Sequence, residues 1–232
     1  MTRRGDVTVI AVILVAAAVP VSSQVPLENE IRVNLNTASS QSEPQVVLDG
    51  DGAALVYWRD LGVPGGPQIK MRRFAPDGNS SGEITVASVP GGGFIYGAGA
   101  SRGGDATLTY SFNYRTWAQR FQKNGELLGE PIAVNNPATF SYGVSDVAGA
   151  ADGGFVVAMQ SFEWPNPGVH SVIVTRAYSA SGIAHTPLFQ VSDDPARLQG
   201  SPKVGVEASG HFAVFWTSTN DASEDYRVHL RR

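Results

Sequence analysis

The side chains best suited to chemistry gather in short connections rather than in one motif. Asp60, Glu163 and Asp225 offer carboxylates, with Asp221 and Glu224 beside the last. Two such groups flanking one bond are the machinery of glycoside hydrolysis, yet nothing in the spacing marks out a pair. Tyr114, Trp164 and Tyr226 offer rings that stack on the C–H face of a sugar while neighbouring carboxylates and amides bond its hydroxyls. Asp49-Gly50-Asp51-Gly52 has the acid and glycine content of a calcium loop. Calcium wants about six to eight oxygen ligands, and no glutamate or third aspartate follows nearby. His170, His185, His211 and His229 stand alone, with no metal-ligand spacing and no Gly-x-Ser-x-Gly elbow. There is no cysteine, which excludes thiol catalysis, disulfides and a lipidated-cysteine anchor. The residues predict no metal, no cofactor and no catalytic constellation.

What must position these connections is a repeat. Residues 44–58, 96–110, 145–159 and 201–216 share a strand, a glycine turn and a second strand, ending at Trp58, Tyr110, Met159 and Trp216. A third strand follows each pair, at 69–78, 117–125, 172–182 and 226–232. A short fourth appears as Ile-Thr-Val-Ala (84–87), Ile-Ala-Val-Asn (132–135) and Phe-Gln-Val-Ser (189–192). Units of four strands over roughly fifty residues, with no helical periodicity after the N-terminus, are the mark of a β-propeller blade. A β-sandwich shares the short strands but not the recurrence of the whole unit. The repeat also resolves the acidic loop. Asp51-Gly52 falls opposite Gly103-Gly104, Asp152-Gly153 and Ser209-Gly210, so the position calls for a tight hairpin turn.

The fourth copy stops in its third strand, and Ile31-Arg32-Val33-Asn34 closely matches Ile132-Ala133-Val134-Asn135. The match predicts a four-bladed ring whose last blade is completed by the N-terminal strand, which would leave no free edge. A fragment of a larger propeller, or two chains pooling their blades, are the alternatives. The repeated third-strand arginines, Arg72, Arg73, Arg120, Arg176, Arg231 and Arg232, read as structural groups facing solvent or cross-strand acids.

Ala-Asp-Gly-Gly-Phe-Val-Val-Ala-Met-Gln-Ser (151–161) and Gln-Arg-Phe-Gln-Lys-Asn-Gly-Glu-Leu-Leu-Gly-Glu-Pro-Ile-Ala-Val-Asn (119–135) resemble the repeats of secreted bacterial propeller-like proteins. Those repeats read DGGFVVVWQS and QRFDxxGxxxGxEFxVN. The likeness runs over residues 31–232 and is strongest in copies two and three. It implies a propeller-like fold, export, and an adhesion or binding role. Sialidases are also propellers, but their Ser-x-Asp-x-Gly-x-x-Trp box is not met here. Ser192-Asp193-Asp194 and Ser223-Glu224-Asp225 lack the glycine and aromatic that should follow. The arginines such an enzyme needs would have to come from Arg59, Arg115, Arg176 and Arg197.

Arg3-Arg4, the apolar run 7–19 and the small residues Val21-Ser22-Ser23 lay out a signal peptide over 1–23, leaving 24–232 as the propeller-like domain. The run is too short to span a bilayer and ends at Pro20. The destination is therefore secreted or periplasmic, with no membrane association after cleavage. A formal charge of −4 argues against nucleic acid as a partner.

Function on such a scaffold belongs to the second-to-third and fourth-to-first strand loops, where the copies differ most. The expected activity is non-catalytic binding of a glycan or surface protein through Asp60, Tyr114, Glu163, Trp164, Asp225 and Tyr226. A glycoside hydrolase or sialidase-like enzyme, and a structural repeat in an envelope assembly, are the alternatives.

Overall fold

The computed structural model describes residues 30–38, 40–49, 51–135, 143–162, 171–194, 197–220 and 225–232. The signal segment and the loop holding Glu163 and Trp164 lie outside the described residues. Val33–Arg232 form one unit built of four antiparallel sheets in chain order. The first is β1 (Gln41–Leu48), β2 (Ala54–Asp60), β3 (Gln68–Phe74) and β4 (Ile84–Ser88). The second is β5 (Gly93–Ala100), β6 (Ala106–Phe112), β7 (Arg115–Phe121) and β8 (Ile132–Ala133). The third is β9 (Ser145–Gly149), β10 (Phe155–Phe162), β11 (Ser171–Tyr178) and β12 (Phe189–Gln190). The fourth is β13 (Leu198–Val206), β14 (Phe212–Thr219) and β15 (Arg227–Arg231). This is an all-β, propeller-type fold.

One turn recurs in all four sheets and explains the glycine pattern. Asp49, Ser101, Ala150 and Glu207 each donate a backbone N–H to the carbonyl four residues on, at 2.9, 2.8, 2.7 and 2.9 Å. Gly52, Gly104, Gly153 and Gly210 sit inside these turns at φ of 83–94°, where a side chain is disfavoured. The Asp49 carboxylate closes its own turn. Oδ1 accepts from the N–H groups of Asp51 and Ala53 at 3.0 and 2.8 Å, and Oδ2 accepts from Arg73 Nη2 at 3.2 Å. Its oxygens face inward to donors, the behaviour of a turn residue.

Between the sheets lie three apolar layers, each made because the middle strands alternate large buried residues on both faces. Leu55, Tyr57, Ile69 and Met71 meet Leu108, Tyr110 and Phe121, with the Tyr57 and Phe121 rings 5.2 Å apart. Ala118 and Val134 meet Val157, Met159, Val174 and Tyr178. Ala158, Ile173 and Val191 meet Val214 and Trp216. Burial pushes the Tyr110 hydroxyl up to about 12 and raises that of Tyr57 further. Successive innermost strands are stitched by carboxylates. Glu43 Oε2 accepts from Ile95 N at 2.8 Å, and Asp146 Oδ2 accepts from Val204 N at 3.0 Å.

Two expectations change. The fourth strands of the second and third sheets are shorter than the sequence suggested, because side chains take over from backbone pairing at their ends. Asn135 Oδ1 accepts from Thr116 N at 2.8 Å, and Ser192 Oγ accepts from Ile173 N at 2.9 Å. The N-terminal strand expected to complete the last blade is not formed. The fourth sheet has three strands, and residues 31–34 are in no strand. Val33 lies against the first sheet, its carbonyl accepting from Arg72 Nη1 at 2.9 Å. The reason is geometric. Packing runs from each sheet to the next, and no strand of the fourth packs extensively on the first among the described residues.

Candidate functional site

A cavity of ≈ 290 Å³ opens on the second sheet, lined by Pro90, Gly91, Gly92, Phe94, Tyr96, Ser111, Phe112, Asn113 and Tyr114. It is formed where the connection from β4 to β5 meets the turn from β6 to β7, one loop of each type that should carry function. Its size sits near the low end of ligand pockets, about 300–1,000 Å³.

The β6–β7 turn is the tightest of its kind in the chain. Phe112 and Arg115 are paired, so only Asn113 and Tyr114 lie between the strands. Both adopt left-handed backbone, φ 50° and 60°, as a two-residue hairpin with the right twist requires. Asparagine accepts that conformation readily, whereas tyrosine gives up about 1 kcal/mol. The ring so placed is 58% exposed. Below it, the Trp117 indole N–H donates to the Phe112 carbonyl at 3.1 Å and anchors the strand end.

The opposite wall comes from β5. Phe94 and Tyr96 share a strand face by the two-residue period, and their rings stack at 6.4 Å and 23°. Arg59 covers one side of the Phe94 ring at 4.8 Å, while its Nη1 is paired with Glu43 at 2.9 Å. Ser111 Oγ accepts from Phe94 N at 3.3 Å and reaches the Tyr96 hydroxyl at 3.4 Å. The strand enters this wall at Gly93, where a Cβ would come within 2.6 Å of the Ser111 carbonyl. The lining includes no carboxylate and no histidine. What the arrangement offers is aromatic faces and hydroxyl and amide groups.

Of the residues expected at the site, Tyr114 alone among the described ones lines this cavity. Asp60 closes the end of β2 and is 1% exposed. Its Oδ1 accepts from Gly62 N at 2.9 Å and Oδ2 from Asn36 Nδ2 at 3.4 Å. Asp225 lies on the fourth sheet, where its Oδ2 accepts from Arg227 Nη2 at 2.8 Å and Arg197 Nη1 at 3.0 Å. Arg227, and then Arg197, hold this carboxyl below the usual range. Arg197 Nε donates to Ser218 Oγ at 3.0 Å, Ser218 Oγ lies 2.7 Å from His229 Nε2, and His229 stacks on Trp216. Ser218 is buried, so this chain of contacts braces the sheet rather than presenting a nucleophile. Tyr226 stands beside it, 70% exposed.

The arginines do not converge either. Arg59 pairs with Glu43, Arg115 lies over Trp117, Arg176 reaches across to the Val134 carbonyl beside the second sheet, and Arg197 pairs with Asp225.

No family model matches the sequence, and no curated protein matches it at a significant level. Solved structures do. A Hadza microbial sialidase, Hz136, matches with a TM-score of 0.54 at 12% identity, covering 83% of this chain and 44% of its own. A protein of unknown function from Dyadobacter fermentans gives 0.56 at 9% identity, covering 80% and 67%. An N-acetylgalactosamine deacetylase from F. plautii, in complex with blood group B trisaccharide, gives 0.50 at 11%, covering 82% and 71%. The chain thus spans under half the length of the sialidase. At these identities the likeness shows the fold.

Proposed function

We propose that this is an exported, non-catalytic carbohydrate-binding protein, and that the cavity of the second sheet takes a sugar ring. The observation that carries the reading is four aromatic residues, Phe94, Tyr96, Phe112 and Tyr114, around a cavity with hydroxyl and amide groups at its edge. Aromatic faces stack on the apolar face of a pyranose, and the polar groups fix its orientation. A cavity of ≈ 290 Å³ favours a small ring over the flat footprint of a protein partner. Two of the similar solved structures carry carbohydrate-related names, which agrees with the reading. So does the repeat's resemblance to secreted bacterial binding and adhesion proteins. No helix among the described residues is long and apolar enough to cross a membrane.

Hydrolysis needs two available carboxylates. Of the candidate carboxylates among the described residues, Asp60 is buried against backbone and Asp225 is held by two arginines, so neither is offered as acid or nucleophile; Glu163, Asp221 and Glu224 lie outside the described residues. The test is a glycan array on the full chain purified after export, followed by chromogenic glycosides of the sugars that bind. Specific binding without turnover is expected. Turnover of any bound sugar would replace this reading with a hydrolase.

A further inference from the structure

One carboxylate of the first sheet holds the aromatic wall of the second. Glu43 stands in the irregularity of β1 between Ser42 and Gln45, at φ 57°, and its side chain crosses to the second sheet. Its two oxygens serve two donors. Oε2 accepts from Ile95 N at 2.8 Å, which fixes the β5 backbone between Phe94 and Tyr96. Oε1 accepts from Arg59 Nη1 at 2.9 Å, and the Arg59 guanidinium lies 4.8 Å from the centre of the Phe94 ring. Neither Glu43 nor Arg59 lines the cavity, yet both contacts end on the strand that forms its wall.

The fold does not ask for this pair. Ser201 occupies the same place in β13, ahead of Pro202 as Glu43 is ahead of Pro44, at a φ of 50°. The bulge therefore forms without a glutamate. The places equivalent to Arg59 in the other sheets hold Ser111, Gln160 and Thr217, all uncharged. Nor does Arg59 meet all its own needs where it lies. Its Nε is buried and has no acceptor among the described residues, a loss that an arginine placed for bonding alone avoids. What the position gives is a cation flat on an aromatic face, an attraction equivalent to about two- to fivefold in an equilibrium.

The same pair sets the charge of the site. No acid and no base lines the cavity. Arg59 brings a cation against its wall, and Glu43 compensates it in a setting where the two side chains are 13% and 23% exposed. Arg115, the charged neighbour of Tyr114, lies over Trp117, which is outside the lining. Aromatic faces, hydroxyls and amides beside a compensated cation suit an uncharged ring.

Taking the cavity as a sugar site, we propose that Glu43 is its positioning and specificity-determining residue. Through Ile95 N it holds the strand that forms the wall, and through Arg59 it holds the Phe94 ring. By compensating Arg59 it keeps the cavity for neutral sugars. Without that carboxylate the guanidinium stands unpaired behind Phe94 and draws a ring that carries a carboxylate of its own.

The test uses the full chain purified after export and its Glu43→Gln variant. Glutamine keeps one oxygen for Ile95 N and gives up the charge that pairs with Arg59. Without ligand, the Phe94 ring signal in an aromatic carbon–proton NMR spectrum, assigned by its loss in Phe94→Leu, is expected to shift or broaden. The ligand probes are methyl glucoside and methyl galactoside, each beside its uronide, which has a carboxylate in place of the hydroxymethyl group. Glu43→Gln is expected to bind the neutral glycoside about threefold more weakly. The neutral-to-uronide affinity ratio is expected to move roughly fivefold toward the uronide, and less at high salt. Arg59→Met removes the cation itself, so it should weaken the neutral glycoside without moving that ratio toward the uronide. Equal weakening of both ligands in Glu43→Gln is what a structural role alone would give, and would overturn the specificity role. An unchanged Phe94 signal would overturn the positioning role whatever the sugars do. A moved signal in a chain that binds no glycoside would support the hold on Phe94 and overturn the sugar reading of the cavity.

Discussion

The upper ends of the second and fourth sheets hold the two best assemblies of functional side chains, and they are built in opposite ways. On the fourth, Arg197, Asp225, Arg227, Ser218 and His229 answer one another, leaving few unmet donors or acceptors. On the second, the rings of Phe94 and Tyr114 are half exposed, and the turn that carries Tyr114 is held in left-handed backbone. A polar group consumed by a neighbour stabilises the fold, whereas an exposed aromatic side chain carried on strained backbone is placed where a ligand can meet it. The contrast gives bracing to the fourth sheet and supports the recognition role proposed for the second.

The strongest way to break this contrast is to remove the brace. Replacing Arg197 with Met takes away a buried guanidinium and its bond to Ser218, and should lower unfolding stability by about 2 kcal/mol. Sugar binding at the second sheet should not change, as seen by calorimetry well below the melting temperature. Loss of binding in a folded Arg197→Met variant would put the site on the wrong sheet. Phe94→Leu tests the other half. Removing one stacking face should weaken sugar binding about fivefold, near 1 kcal/mol, with the melting temperature little changed.

Acid separates the two regions more gently. Arg227 and Arg197 depress the Asp225 carboxyl, and Arg231 does the same to Asp193. Their contribution is present above the ordinary carboxylate value of about 4 and fades as pH falls through the lower folded value. Thermal melts should therefore weaken below about pH 4. Sugar affinity should stay flat from about pH 5 to 8, because the cavity is lined by no acid or histidine. The smallest effect is a null one. EDTA should leave both melting and binding as they were, since Asp49 uses its carboxylate to close its turn. A drop in either would restore the acidic loop as a calcium site.

The blades were legible in the sequence because glycine at positive φ is hard to replace. Gly52, Gly104, Gly153 and Gly210 punctuate every unit, and Trp58, Tyr110, Met159 and Trp216 mark the same buried place in each. Half of the cavity was not legible. Tyr114 was named for its aromatic face in a second-to-third connection. Tyr96 read as the start of an ordinary strand and Phe94 lay just outside it, because the two-residue period that puts both on one face says nothing of whether that face opens on a cavity. Asp60 and Asp225 had the right chemistry and the right loops. Only their partners, Gly62 N and the two arginines, reveal that the charge is already used.

The most direct test is Tyr114→Gly, titrated calorimetrically with the sugar that the unmodified chain binds best. Glycine relaxes the left-handed position, so stability should hold or rise by about 1 kcal/mol. Affinity should fall at least about tenfold, a loss of about 1.4 kcal/mol, as the stacking ring disappears. A variant that binds as tightly as the unmodified chain would contradict a recognition site on the second sheet.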